Sequence, residues 1–207
     1  MALDARLAFA AASTLLLVIP GPTVLLVVSY AMGRGWRVAA PMAAGVALGD
    51  LTAMTLSLAG VGALLAASAT AFTVLKWIGA AWLVWLGIKL WRAGAAPRVR
   101  ARTDAAPPLR MLGHAWLVTT LNPKSLLFFM AFVPQFLDPA APFAPQAAVA
   151  IATFVTLAFA NAFGWALLGA QAGRFAADPA AMRLVHRAGG AALMAAGAAA
   201  ALSRRAA

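Results

Sequence analysis

Apolar runs of about 20 residues follow one another along the whole chain, about six of them, each long enough to cross a hydrocarbon core about 30 Å thick. No single soluble core could bury so many. Of 207 residues, 64% are hydrophobic and only 10% are charged, whereas soluble domains are about half apolar and a quarter charged. Lipid offers the backbone no hydrogen-bond partners, so runs of this length are expected to be helices. The sequence therefore predicts an all-α polytopic membrane protein embedded in a lipid bilayer. Spans are expected at 7–32, 38–67, 72–91, 111–136, 146–171 and 184–202. No small-residue cleavage site followed by a polar domain comes after the first run, so it is expected to stay in the mature protein.

The formal net charge is +11, but the basic residues sit between apolar runs rather than on one hydrophilic face. That pattern fits loop charge and gives no reason to expect nucleic acid. The substantial polar segment is "RAGAAPRVRARTDAAPPLR" at 92–110. It divides the chain into a first three-helix unit (1–91), a basic linker (92–110) and a second three-helix unit (111–207). Arg34 and Arg37, then Arg92, Arg98, Arg100, Arg102 and Arg110, then Arg174 and Arg183 follow helices one, three and five. The positive-inside rule places those odd-numbered loops in the cytoplasm and both termini outside. Arg6, Arg204 and Arg205 pull the other way.

The two halves carry similar features in the same order. "GAAWLVWLG" (79–87) in helix three matches the glycine spacing of "GGAALMAAG" (189–197) in helix six. Asp50 in helix two corresponds to Asn161 in helix five, and "PGP" (20–22) in helix one to "NPK" (122–124) in helix four. A unit of three helices, if duplicated, must enter the membrane the second time upside down. The expected architecture is thus two inverted three-helix repeats with broken helices one and four, a plan that secondary transporters use.

The breaks are where chemistry is expected. Pro20 and Pro22 each remove a backbone donor and Gly21 lowers helix propensity further, so helix one should break near its centre. Freed carbonyls cannot face lipid, so the break must face protein or a water-filled cavity. In helix four, Pro123 opens the backbone, Asn122 can hydrogen-bond what it frees, and Lys124 sets an ammonium about half-way along the span. Asp50 is the carboxylate that falls within an apolar span, a position that marks a proton, ion or substrate path; it could pair with Lys124 or bind a substrate amine. Asn161 is its neutral counterpart. The candidate substrate or ion site is therefore Pro20, Gly21, Pro22, Asp50, Asn122, Pro123, Lys124 and Asn161. Gly45 and Gly49 form a small-xxx-small pair suited to close helix packing, and the glycine-rich faces leave room for a homodimer.

Enzyme signatures are lacking: there is no phosphate-binding glycine loop followed by Lys-Ser or Lys-Thr, no His-Glu-x-x-His and no acidic pair within the spans. His114 and His186 stand far apart at expected span ends, where solvated or interfacial positions and no metal site are expected. No cofactor is called for. The absence of cysteine excludes disulfides and thiol chemistry. From the residues alone, a carrier, a passive channel and a noncatalytic membrane scaffold all stay open.

In order and spacing, "IPGPTVLLVVSYAMGRGWRVAAPMAAGVALGD", "VLKWIGAAWLVWLGIKLW" and "LNPKSLLFFMAFVPQFL" resemble the LysE-type translocators, amino-acid exporters for lysine, threonine, homoserine and related compounds. The likeness runs nearly end to end; Pro-Gly-Pro, Gly-x-x-x-Gly-Asp and Asn-Pro-Lys are its most specific parts. It departs at Trp82, where a tyrosine-like position is usual. The resemblance implies an inner-membrane exporter of amino acids or close derivatives, coupled to proton entry as an antiporter. Thiol redox carriers of the wider superfamily are ruled out by the missing cysteines.

Overall fold

The computed structural model describes residues 1–67, 69–92, 101–102, 106–138 and 140–202. These are helical, with no strand among them. Most of the linker, including Arg98 and Arg100, lies outside the described residues, as do Arg204, Arg205 and the side chain of Trp82.

The first span is broken where its prolines require. Helix α1 (Leu3–Val18) ends just before Pro20, and α2 (Pro22–Arg34) starts with proline in its first turn, where a missing N–H costs no helical bond. Gly35, with φ +70°, opens a 3₁₀ turn (Gly35–Val38) that leads into α3 (Ala39–Ala67). Length and apolarity alone make Pro22–Ala63 one stretch of 42 residues. A straight helix would hold Thr23 and Val46 about 35 Å apart, yet both line one cavity. The chain therefore doubles back at Gly35, whose positive φ only glycine adopts readily.

Helix α4 (Ala69–Arg92) leads to the linker, after which the chain enters α5 (Pro108–Thr120). The second break follows. Pro123 starts the short α6 (Pro123–Leu127), which runs into a π-helical turn (Phe128–Phe132) and a 3₁₀ turn (Val133–Phe136). Pro108–Thr120 and Pro123–Phe136 meet at 46°. Helices α7 (Phe143–Ala177), bent at Gly169 (φ +48°), and α8 (Pro179–Leu202) complete the chain. By length and apolarity, Pro22–Ala63 and Phe143–Gly169 are long enough to cross a membrane, with the bent pair as a third.

Helix α3 packs on α5 and α7, α2 on α7, and α4 on α8. Small residues set these approaches, as the sequence leads one to expect. A Cβ on Gly49 would lie 2.7 Å from Thr119 Cβ and 2.8 Å from the Trp116 carbonyl, and one on Gly190 would lie 2.6 Å from the Gly87 carbonyl. An aromatic core of Phe9, Phe128, Phe129, Phe132, Phe136 and Phe154 fills the space beside the second break. Phe129 and Phe154 meet edge-on at 4.8 Å, a favoured aromatic geometry.

The described ends of the linker and the bend of α7 both meet α2. The Arg102 amide donates to the Ser29 carbonyl at 2.9 Å, Arg34 donates to the Ala106 carbonyl, and Gly169 near the end of α7 lies against the Ala31 carbonyl. One of the two histidines departs from expectation, His186. His114 is partly buried, its Nδ1 3.2 Å from the Tyr30 hydroxyl and 3.3 Å from an Arg102 nitrogen. His186 is buried, with Nδ1 unpartnered among the described residues. Helix α8 begins at Pro179, earlier than the expected 184, which carries His186 two turns inside the helix.

Candidate functional site

Breaking α1 leaves an uncapped set of carbonyls. Leu16 O would bond the N–H of residue 20 and Val18 O that of residue 22, but both are proline and have none. The second half of the chain supplies replacements. Lys124 Nζ donates to Leu16 O at 2.9 Å and to Ile19 O at 3.1 Å. Asn161 Nδ2 donates to Leu17 O at 3.2 Å. A cation at a helix C-terminus also meets the negative end of the helix dipole. Lys124 packs so tightly here that a Cβ on Gly21 would lie 3.4 Å from Nζ.

The second break is closed by its own residues and by α2. Pro123 deprives Thr119 O of its usual donor, and the Asn122 amide replaces it at 3.1 Å. Asn122 Oδ1 accepts from the Lys124 amide at 3.1 Å, capping α6, while Nδ2 donates to Thr23 Oγ1 at 3.3 Å. Thr119 Oγ1 donates to the same hydroxyl oxygen, also at 3.3 Å. Thr23 is thus a second point, beside Lys124, at which the two broken helices are tied together.

Between them lies a cavity of about 20 Å³, room for about one water molecule. Its wall includes Gly21, Thr23, Asp50, Asn122, Lys124 and Asn161. Asp50 is only 2% exposed, and its Oδ1 is buried without a hydrogen-bond partner among the described residues. The Lys124 ammonium donates to carbonyls rather than to Asp50. Helix α2 points its N-terminus at the same space with no side chain capping it, because Gly21 has none to offer. An uncapped N-terminus attracts anions, and a buried carboxylate attracts cations or a proton, here alongside the charge of Lys124 in the same wall.

On the other side of Gly21, Asn122 and Lys124 is a larger cavity of about 410 Å³, lined also by Pro20, Pro22 and Pro123. The eight residues singled out in the sequence are therefore brought together: Asp50 and Asn161 on the inner cavity, the three prolines on the outer one, and Gly21, Asn122 and Lys124 on both.

The LysE type translocator family matches residues 14–204. The chain belongs to this family. It is 33% identical over 199 residues to a homoserine/homoserine lactone efflux protein of Salmonella typhi, covering 96% of this chain and 97% of that one. It is 34% identical over 128 residues to a leucine efflux protein of Salmonella choleraesuis, 61% of this chain and 60% of that one. An uncharacterized membrane protein of Vibrio cholerae is 38% identical over 160 residues, 77% of this chain and 78% of that one. No solved structure matches the chain.

Thr23, Thr119 and Ser125, absent from the expected set, also line the inner cavity. A signal was present: "PGPT" and "TTLNPKS" set hydroxyl residues directly beside each break. Ser and Thr side chains are among the groups that satisfy backbone freed by proline in membrane helices.

Proposed function

We propose that the protein is a secondary transporter that exports amino acids or close derivatives across the inner membrane by proton antiport. The observation that carries this reading is Asp50, a buried carboxylate with an unpartnered oxygen, facing a cavity walled by both helix breaks. The substrate ammonium binds Asp50, and its carboxylate takes the amides at the start of α2. The carbonyl-rich end of α1 is already held by Lys124 and Asn161. Lys124 accordingly organises the site and sets its charge balance. A proton and a substrate ammonium then compete for one carboxylate, which is the elementary requirement of exchange.

The architecture we assign is six spans in two inverted repeats, 1–91 and 111–207. What supports it is the pairing of helices. Under exchange of the halves, the pairs α3 with α7 and α4 with α8 map onto themselves, and α3 with α5 maps onto α7 with α1. The inner cavity is too small for an amino acid as it stands, which suits an occluded carrier better than a passive channel. Rocking of one unit against the other would open it to alternate sides. The end carrying the basic loops is assigned to the cytoplasm, leaving both termini outside. Relatives named for efflux of homoserine, homoserine lactone and leucine support amino acids as the cargo.

Counterflow in proteoliposomes tests the reading. Labelled leucine or homoserine should accumulate against unlabelled substrate, and Asp50→Asn should abolish the dependence on an imposed pH gradient. An Asp50→Asn protein that transports normally and keeps its full pH-gradient dependence would overturn it.

A further inference from the structure

The outer cavity differs in chemistry from the inner one. At about 410 Å³, it falls within the size range of small-molecule sites, about 300–1,000 Å³. Its walls are mostly apolar: Ile19, Leu86, Leu127 and Leu193, with Trp85 at one side. Among the described residues, two cations line it, Lys89 and Lys124, and no carboxylate does. Lys124 is committed to Leu16 and Ile19. Lys89 is exposed, its Nζ 5.0 Å from the centre of the Trp85 ring, and among the described residues no acceptor takes a hydrogen bond from it.

A cavity with greasy walls and one ammonium that donates a hydrogen bond to no described residue selects a particular ligand. The aliphatic surface favours an apolar body, and the single point charge favours a monoanion. A phosphate dianion is better served by an arginine fork or a cluster of donors, neither of which lines this space. Lys89 lies in the last turn of α4, beside the basic linker, on the side from which an exporter would load.

We propose that the outer cavity is a separate binding site for an aliphatic monocarboxylate. Lys89 takes the carboxylate and the side chain lies on Leu86, Leu127 and Leu193, before the molecule passes Lys124 to reach Asp50. The passage to Asp50 rests on the export reading; the binding of the carboxylate does not. Since the substrate enters with its carboxylate held back at Lys89, its ammonium leads towards Asp50, and the site orients a zwitterion as well as collecting it.

The test uses the full chain in detergent and two probes of one shape, 4-methylpentanoate and 4-methylpentanamide, with binding followed by saturation-transfer NMR. The acid should bind more tightly than the amide. Lys89→Gln should weaken the acid by about tenfold, the value of one charge-assisted hydrogen bond, and leave the amide unchanged. Arg37→Gln, which removes an exposed cation elsewhere, should change neither. Equal binding of acid and amide, or acid binding unaltered by Lys89→Gln, would refute the site. So would loss of acid binding on adding phosphatidylglycerol but not phosphatidylcholine, because an anionic lipid headgroup would then be the occupant. Counterflow separates the two claims. If the acid binds through Lys89 but no amino acid exchanges, the export reading fails and the carboxylate site stands. If amino acids exchange while the acid does not bind, the reverse holds.

Discussion

Lys124 Nζ, on the second broken helix, lies 2.9 Å from the carbonyl oxygen of Leu16 on the first. With Ile19 O at 3.1 Å, this makes one ammonium the cap of a helix to which it does not belong. Hydrogen bonds to charged groups contribute about 1.5–3 kcal/mol each. Lys124→Met should therefore lower stability by about 3 kcal/mol or more, seen as a depressed thermal midpoint in detergent. Lys124→Arg keeps a donor and should fall between the two. Equal midpoints for Lys124→Met and the parent protein would remove the capping role.

Thr23 Oγ1 accepts from both Asn122 and Thr119, so the ties between the breaks are separable by mutation. A double-mutant cycle with Thr23→Val and Asn122→Ala should return a coupling energy of about 0.6 kcal/mol, with about 1.7 as the ceiling seen for hydrogen bonds between membrane helices. Unfolding by denaturing detergent supplies the measurement. Strict additivity would mean that the 3.3 Å contact contributes nothing.

Glycines should divide sharply by position. Gly49 faces Thr119 and the Trp116 carbonyl at under 3 Å from a would-be Cβ, whereas a Cβ on Gly60 meets nothing within 4 Å. Gly49→Val should push α3 off α5 at a cost of about 1–3 kcal/mol and reduce counterflow, because Thr119 borders the inner cavity. Gly60→Ala should leave transport intact and gain up to about 1 kcal/mol from helix propensity. Similar midpoints for the two variants would show that the close approach is not limiting.

Proton antiport has a definite sign. Protons enter as substrate leaves, so acidifying the outside of substrate-loaded, outward-exporting vesicles should speed efflux, and acidifying the lumen should slow it. One pH unit supplies about 1.4 kcal/mol, enough for about a tenfold concentration gradient per proton exchanged. Flux that ignores the direction of the pH gradient would rule out the coupling while leaving exchange of amino acids possible.

The breaks were legible because proline acts locally: Pro20, Pro22 and Pro123 remove named hydrogen bonds wherever the helices come to lie. Asp50 was legible because a carboxylate stands out in an apolar run. The partners were not. Whether Lys124 would reach Asp50 or the end of α1 depends on how far each helix is rotated about its own axis. Spans that are apolar all round carry no stripe from which that rotation can be read. The same gap hid Thr23 and Thr119, which look like ordinary small residues until the packing of α2 against α5 aims them at each other. It also hid the burial of His186.

The cap on α1 has a consequence for biosynthesis. Its donors, Lys124 and Asn161, lie 108 and 144 residues after the carbonyls that they serve at Leu16 and Leu17. A ribosome delivers α1 long before either donor exists, so the nascent first half must hold those carbonyls in water or against the insertion machinery until the second half arrives. Completion of the first helix thus waits for the second half of the chain, and a chain truncated before Lys124 would be left with an unfinished helix, the kind of defect by which quality-control proteases recognise an orphaned half.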